Sequence, residues 1–177
     1  LQANSIQLSS QHNVNNSAGV INGQTVDLSA TALKNLNGVI LANGTENDSL
    51  KLSNIGQLNN DNGTIASHGR DFYLTLANLS NDNGDLLHLG EGSFTLSQDE
   101  TLTNSGTIAS AGNLVLNAKN VANEGTLQAQ QKLQLNAGLT NQSDALLYAN
   151  DITVNAMSGD IINNGSISAD NNLELNA

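Results

Sequence analysis

The sequence repeats one pattern at a regular spacing, and this constrains the fold more than any other feature. Three stretches of 17 residues carry asparagine at the third position, glycine at the fifth, an aliphatic residue at the seventh and the ending L-x-L-N-A. They are LTNSGTIASAGNLVLNA (102–118), VANEGTLQAQQKLQLNA (121–137) and IINNGSISADNNLELNA (161–177). Recurrence at a fixed period is typical of repeat architectures, in which each unit is stabilised by packing on its neighbours.

The repeat covers most of the chain. Aligning the Asn-x-Gly turns groups Asn104, Asn123, Asn141 and Asn163, and it places Ser143 where the other repeats have the turn glycine. The L-x-L endings align as Leu116, Leu135, Val154 and Leu175. Looser copies precede them: LKNLNGVILA (33–42), LNNDNGTIAS (58–67) and LSNDNGDLLH (79–88). We therefore predict a single segment, 1–177, of about nine coils of roughly 19–22 residues, with insertions in 1–101 and regular coils in 102–177.

Within each unit, apolar and polar residues alternate, as they do in strands with one buried face. An antiparallel meander or sandwich would use Asn-Gly pairs such as Asn37-Gly38 as hairpin turns. A parallel β-helix would instead stack each coil on the preceding one, about 4.8 Å away. Only the β-helix requires like residues at equivalent positions, so we predict an all-β parallel β-helix (solenoid). The prediction requires Leu116, Leu135 and Leu175 to lie in one internal column.

The composition agrees with many turns and a core of small aliphatic residues. The chain has 27 leucines, 30 asparagines, no proline, and only four phenylalanines and tyrosines in total. Asparagine favours turns because its side chain bonds nearby main chain, and stacked asparagines form ladders. Proline would leave a ladder position unpaired, so its absence favours the β-helix.

Charge and composition exclude several classes of function. The net charge is −11 with five basic residues, so binding to nucleic acid or to an anionic membrane surface is not expected. The absence of cysteine excludes disulfides and Cys-ligated zinc. No apolar run approaches the length of a membrane span, and no signal peptide is recognisable. The chain starts and stops at the ends of repeats, so we expect it to be a segment of a longer array.

The run LTNSGTIASAGNLVLNAKNVANEGTLQAQQKLQLNA (102–137) resembles the repeats of the filamentous haemagglutinin family. These are large exoproteins of Gram-negative bacteria exported by two-partner secretion, and they include adhesins and contact-dependent growth inhibition toxins. The resemblance implies a right-handed parallel β-helix that forms part of a secreted, cell-surface stalk. It also implies an outer-membrane secretion pore as partner of the full-length protein, and a receptor or glycan on a target cell as a further candidate partner.

The stretch ASHGRDFYLTL (66–76) is the most irregular coil. Aligning Leu74 and Leu76 with Leu114 and Leu116 leaves two extra residues, which predicts a longer turn at 67–71. Strand parity points Phe72 inward and Tyr73 outward. Exposed aromatic and arginine side chains favour a recognition surface, so the candidate receptor or glycan contacts are His68, Arg70, Tyr73 and His88. The alternative is that His68 and Arg70 lie in solvated turns while Phe72 and Phe94 fill a wider core.

No motif predicts catalysis, a metal or a cofactor. Glycoside hydrolysis needs two carboxylates that face each other across a cleft, whereas Asp61, Asp82, Asp99 and Asp160 lie at turns, where aspartate bonds local backbone. The stretch NDNGD (81–85) offers oxygen ligands but lacks the closing glutamate of a calcium loop. A polysaccharide-cleaving β-helix is therefore the weakest of the three functional readings, after a stalk and a recognition module.

Overall fold

The computed structural model describes residues 1–157 and 159–177, and this part of the chain contains strands and turns but no helix. The strands are β1 (Ser5–Ser9), β2 (Asn13–Asn15), β3 (Val20–Gly23), β4 (Thr25–Ser29), β5 (Ala32–Lys34), β6 (Val39–Ala42), β7 (Leu50–Ser53), β8 (Gln57–Asn59), β9 (Thr64–Ser67), β10 (Phe72–Leu76), β11 (Asn78–Ser80), β12 (Asp85–His88), β13 (Ser93–Gln98), β14 (Thr101–Asn104), β15 (Thr107–Ser110), β16 (Asn113–Asn123), β17 (Thr126–Ala129), β18 (Lys132–Asn141), β19 (Leu146–Asn155), β20 (Ile161–Asn163) and β21 (Ser166–Asn176).

Each coil contributes one strand to each of three faces. Face 1 holds β1, β4, β7, β10 and β13, and then one half each of β16, β18, β19 and β21. Face 2 holds β2, β5, β8, β11, β14, the second halves of β16 and β18, and β20. Face 3 is an unbroken run of β3, β6, β9, β12, β15, β17 and the first halves of β19 and β21. Every one of these ladders is parallel, which confirms the predicted β-helix and excludes the antiparallel sandwich.

The interior is built from columns of aliphatic side chains. Leu116 pairs with Leu135, Leu135 with Val154, and Val154 with Leu175, so the predicted internal column is confirmed. Coil length is 19 residues between the paired positions 114 and 133. It rises to 25 between the paired positions 40 and 65, beyond the predicted 22, because the turn at 43–49 is long.

The predicted ladder of asparagines at the turns is present, and its side chains lie in the interior alongside these columns. Each side-chain Nδ2 donates to the Oδ1 of the next member, at 2.7 to 3.2 Å, through Asn16, Asn35, Asn60, Asn81, Asn104, Asn123, Asn141 and Asn163. The Nδ2 atoms also donate to backbone carbonyls, as Asn35 does to Gly38 and Thr64, both at 3.1 Å. A buried amide must satisfy both its donors and its acceptor, and stacking in register meets this requirement in every coil.

The turns that carry the ladder differ in length along the chain. In the first four coils the turn is Asn-x-x-Gly, and its third residue has a left-handed conformation, such as Asn62 with φ of 52°. Asparagine accepts this conformation better than most residues. Glycine closes the turn because the previous coil lies too close for a Cβ, which at Gly63 would overlap the carbonyl oxygen of Asn35. From Asn104 onward the turn generally shortens to Asn-x-Gly.

One turn departs from the predicted alignment. Leu146 pairs with Thr126, so the residue stacked on the turn glycine of the preceding coil is Ala145. The expectation that Ser143 replaces the glycine is therefore wrong. The turn contains two extra residues, and Asp144 takes up the reversal of the chain with φ of 67°.

The sheet is interrupted at two places around the fourth coil. No ladder joins β7 to β10 on face 1 or β11 to β14 on face 2 within the described residues. The second interruption coincides with the change in turn length, and the Asn81–Asn104 rung there is stretched to 3.2 Å. The rings of Phe72 and Phe94 stack between the same two coils with centroids 4.7 Å apart. They lie on face 1, where β10 and β13 remain paired, so aromatic packing adds to the ladder that adjoins the interruption on face 2.

We expect Asn123→Ala to lower the free energy of unfolding by about 2–3 kcal/mol, because it leaves buried ladder partners unpaired on both sides. The measurement is urea denaturation followed by circular dichroism. Asn150→Ala, at an exposed position, is the control and should change stability by less than about 0.5 kcal/mol. Equal effects of the two substitutions would contradict a stabilising role for the ladder.

We also expect backbone amides of β11 and β14 to exchange with deuterium faster than those of β5 and β8, because the latter pair belongs to one continuous ladder. Mass spectrometry of peptides from the folded protein provides the measurement. Uniform protection across face 2 would show that the interruption has no energetic consequence.

Candidate functional site at the corner between faces 3 and 1

The corner where the chain passes from face 3 to face 1 changes most from coil to coil. The connection comprises residues 43–49 between β6 and β7, residues 68–71 between β9 and β10, and residues 89–92 between β12 and β13. It then shrinks to 111–112 and 130–131. The long turns therefore follow the second, third and fourth coils, whereas the later corners are tight.

These stacked turns enclose a shallow recess of about 410 Å³. Its lining residues are Thr45, His68, Arg70, Leu89, Gly90 and Glu91. Leu89 is 45% exposed, which is unusual for a leucine in this chain, where most are buried. The recess therefore offers an apolar contact beside a guanidinium and a carboxylate. Such a mixture can bind a polar ligand or a loop of another protein, but it contains no nucleophile paired with a base.

The structure brings together two of the four predicted contact residues. Arg70 is exposed and lies 4.0 Å from the carboxylate of Asp71, and half-buried His68 places Nδ1 3.3 Å from the carbonyl oxygen of Ala42. Tyr73 is 61% exposed, so its outward direction is confirmed, but it lies on face 1 and does not line the recess. Phe72 is fully buried, as predicted.

The structure excludes His88 from any surface contact, because its side chain is only 1% exposed. Nε2 lies 3.0 Å from the carbonyl oxygens of Gly69 and Arg70, so this nitrogen carries the proton and donates. Nδ1 lies 2.8 Å from Ser110 Oγ and accepts from its hydroxyl. His88 thus fastens the 68–71 turn to the next coil, and Ser110, itself buried, is not placed to attack a substrate.

The repeated segments contain the signal that locates His88. GTIAS (63–67), GDLLH (84–88) and GTIAS (106–110) align in the structure, and His88 pairs with Ser67 on one side and Ser110 on the other. Both serines are buried, so strand parity assigns the histidine to the interior.

The predicted alignment of this coil is also corrected. Phe72, and not Leu74, occupies the column of Leu114, through Phe94. Between the aligned serine and this column the chain has four residues before Phe72 (68–71) and three before Leu114 (111–113), so in register the insertion is one residue and not two. A slip of two residues preserves strand parity, so the alternation pattern could not reveal it.

The recess residues Thr45, Leu89 and Glu91 are not part of the prediction. They become neighbours of His68 and Arg70 only because consecutive corners stack, and the insertion at 43–49 disguises their equivalence in the sequence.

The turn aspartates bond to neighbouring coils and do not face each other across a cleft. Asp61 Oδ1 accepts from Ser80 Oγ at 2.7 Å and from the backbone N–H of Asp82 at 2.9 Å. Asp99 and Asp160 are exposed. These carboxylates hold adjacent turns together or face solvent.

Two further features bear on ligands and membranes. Among residues 1–157 and 159–177, no group of three or more His, Cys, Asp or Glu side chains is close enough to hold a metal ion. In NDNGD (81–85), the first asparagine is committed to the interior ladder. The described chain also has no helix that is long and apolar enough to cross a bilayer.

Comparisons of the chain with protein-family models, with curated proteins and with solved structures found no match. The likeness to filamentous haemagglutinin repeats therefore remains a prediction from the repeat pattern.

His88 predicts a pH-dependent stability. Burial lowers its pKa below the usual 6.5, against the opposing influence of the Gly69 and Arg70 carbonyls and of the Asp71 charge. Just below pH 6.5, His88 therefore binds a proton in the unfolded chain but remains neutral in the folded chain. This contribution to stability is complete above pH 6.5 and is lost as the pH falls from 6.5 toward the lower folded pKa.

We expect His88→Gln to flatten the fall in unfolding free energy between about pH 7 and 5, where histidine is the main titrating side chain. Urea denaturation at several pH values measures this slope. His12→Gln, at an exposed position, should retain the wild-type slope. If His88→Gln retained it as well, the buried histidine would not be its source.

Proposed function

We propose that this chain is a structural stalk segment of a large exoprotein of the filamentous haemagglutinin type, an adhesin or a contact-dependent growth inhibition toxin. The exoprotein would be secreted by a Gram-negative bacterium through an outer-membrane two-partner secretion pore and displayed on the cell surface. In this role the segment extends a distal module from the cell and performs no catalysis.

The continuous stack of coils is the observation that carries the proposal. The asparagine ladder and the eight strands of face 3 extend through the described coils without a break. Nine coils at a strand spacing of about 4.8 Å give a rod roughly 40 Å long. Hydrogen bonds and interior columns both connect each coil to the next, so the element suits transmission of length and stiffness.

The surface supports the same role. The net charge of −11 favours solubility and opposes side-by-side association of identical rods. Within the described residues there are two ion pairs, Arg70–Asp71 and Lys119–Glu100, at 4.0 and 3.9 Å. Pairs of this kind contribute little to stability, so the fold depends on its interior.

A recognition module for a receptor or glycan is the second candidate function. It is favoured by the recess at the corner and by Tyr73, whose ring is largely exposed on the adjoining face. Aromatic and arginine side chains contribute strongly to binding interfaces.

Deletion of a whole coil from the full-length exoprotein tests the stalk. Removing residues 113–131 places Lys132 where Asn113 pairs with Ser93, so the ladders continue in register. We expect this variant to be exported and folded, with activity of the distal module that declines only gradually as further whole coils are removed. Removing 113–121 alone breaks the register and should abolish folding of the adjoining coils.

The double variant Arg70→Ala with Tyr73→Ala separates the two candidates. A stalk should retain full activity on target cells, because both side chains are exposed and outside the core. Loss of target-cell binding by a variant with wild-type circular dichroism and export would instead support the recognition module.

A further inference from the structure

The chain contains six Asn-Gly pairs, and the structure treats one of them differently from the rest. The asparagines are Asn22, Asn37, Asn43, Asn62, Asn83 and Asn164. Glycine lacks a side chain that would hinder approach to its backbone nitrogen, so Asn-Gly is chemically the most reactive asparagine sequence.

The reaction needs only water. The glycine nitrogen loses its proton and attacks the asparagine Cγ, the Cγ–Nδ2 bond breaks, and Nδ2 leaves as ammonia. Water then opens the resulting succinimide ring to give aspartate or isoaspartate. A backbone N–H that donates a hydrogen bond in a rigid turn loses its proton less readily and is held away from Cγ.

Four of the pairs are protected in this way. Gly38 and Gly63 donate across their turns to the carbonyl oxygens of Asn35 and Asn60, both at 2.9 Å. Gly44 donates to Gln24 at 2.8 Å. The corresponding bond from Gly84 to Asn81 is longer, at 3.4 Å, which makes Asn83 the least protected of the four.

The pair that contains Asn22 is held within strand β3. The Oδ1 of Asn22 accepts from the side chain of Asn43 at 2.7 Å, so the amide of each is fixed by the other.

Asn164-Gly165 lacks such protection. In the equivalent turn two coils earlier, Glu124 and Gly125 both donate to the carbonyl oxygen of Asn104. In the last Asn-x-Gly turn of the described chain, Asn164 donates to Asn141 at 2.8 Å, and no backbone acceptor is found for Gly165. The side chain of Asn164 is exposed. Gly165 lacks this bond because the turn of the preceding coil, residues 141–145, is longer. Its two extra residues change the path of the backbone on which Gly165 stacks.

We propose that Asn164 is a site of spontaneous deamidation in the folded protein, with water as the co-reactant. The product adds a negative charge next to Asn163, the last member of the interior ladder, and its isoaspartate form adds a methylene to the main chain of a short turn. Modification thus weakens the rung between Asn141 and Asn163, which is 2.9 Å long when intact.

The test is incubation of the folded protein in mildly alkaline buffer, followed by tryptic digestion at low pH and mass spectrometry. The five basic residues place the reporter sites on different peptides: Asn37 on 35–51, Asn62 on 52–70, Asn83 on 71–119 and Asn164 on 133–177. We expect Asn164 to deamidate about tenfold faster than Asn37 or Asn62, the difference that one hydrogen bond supports. Asn83 should be intermediate.

Two controls decide the interpretation. In urea the Asn-Gly sites should react at similar rates, because the turns no longer exist. In the folded Asn164→Gln variant, the peptide 133–177 should lose most of its deamidation. If folded Asn164 reacts no faster than Asn37 and Asn62, or if the ranking persists in urea, the proposed structural control is overturned.

Discussion

Every coil of this protein depends on the coil beside it, and the interaction that shows this best is the buried side-chain amide. Asn35 accepts from Asn16 and donates to Asn60, and the same relation recurs along the interior. Without its neighbours, Asn35 would keep only the bond from Nδ2 to Gly38 in its own turn. Its Oδ1 and its second Nδ2 hydrogen would be unpaired, at a cost greater than the bond itself provides. Stacking therefore becomes a condition for folding, and the repeat in the sequence is its consequence.

A second asparagine ladder confirms that the constraint acts on the whole cross-section. On face 1, Asn136 donates to Asn117, Asn155 to Asn136, and Asn176 to Asn155. These bonds point toward the start of the chain, whereas those of the interior ladder point toward its end. The L-x-L-N ending of the repeat thus encodes two neighbouring apolar columns and a polar column beside them.

The joint between the fourth and fifth coils shows what happens when this requirement is only partly met. The turn changes length there, face 2 loses its ladder, and the interior is filled by stacked aromatic rings. The side-chain Oε1 of Gln98, buried in the fifth coil, has no hydrogen-bond partner. Leu76 and Gln98, which differ in size and polarity, are paired in register at this joint. The column of like residues is therefore interrupted at the same place where the turn changes length.

These features explain how far the sequence leads. Parity and period identify the Leu116 column and the asparagine ladder, because a strand places alternate residues on one face and stacking repeats them. The alternation pattern does not reveal an offset of two residues, and Leu74 is therefore aligned where Phe72 lies. It does not give the length of a turn either, and Ser143 is therefore aligned where Ala145 lies. The recess around Arg70 could not be predicted in this way, because it arises from three stacked corners and the first of them contains the longer connection 43–49.

The same constraint determines where this rod can acquire function. Interior positions and ladder asparagines are bound to their equivalents in adjacent coils, so a change at one of them affects three coils. The corner connections are less constrained: the passage from face 3 to face 1 ranges from residues 43–49 to residues 111–112, while the strands of face 3 keep their register. Longer loops add little to the entropy of closure. Recognition can therefore arise at a corner without interrupting the ladder of face 3.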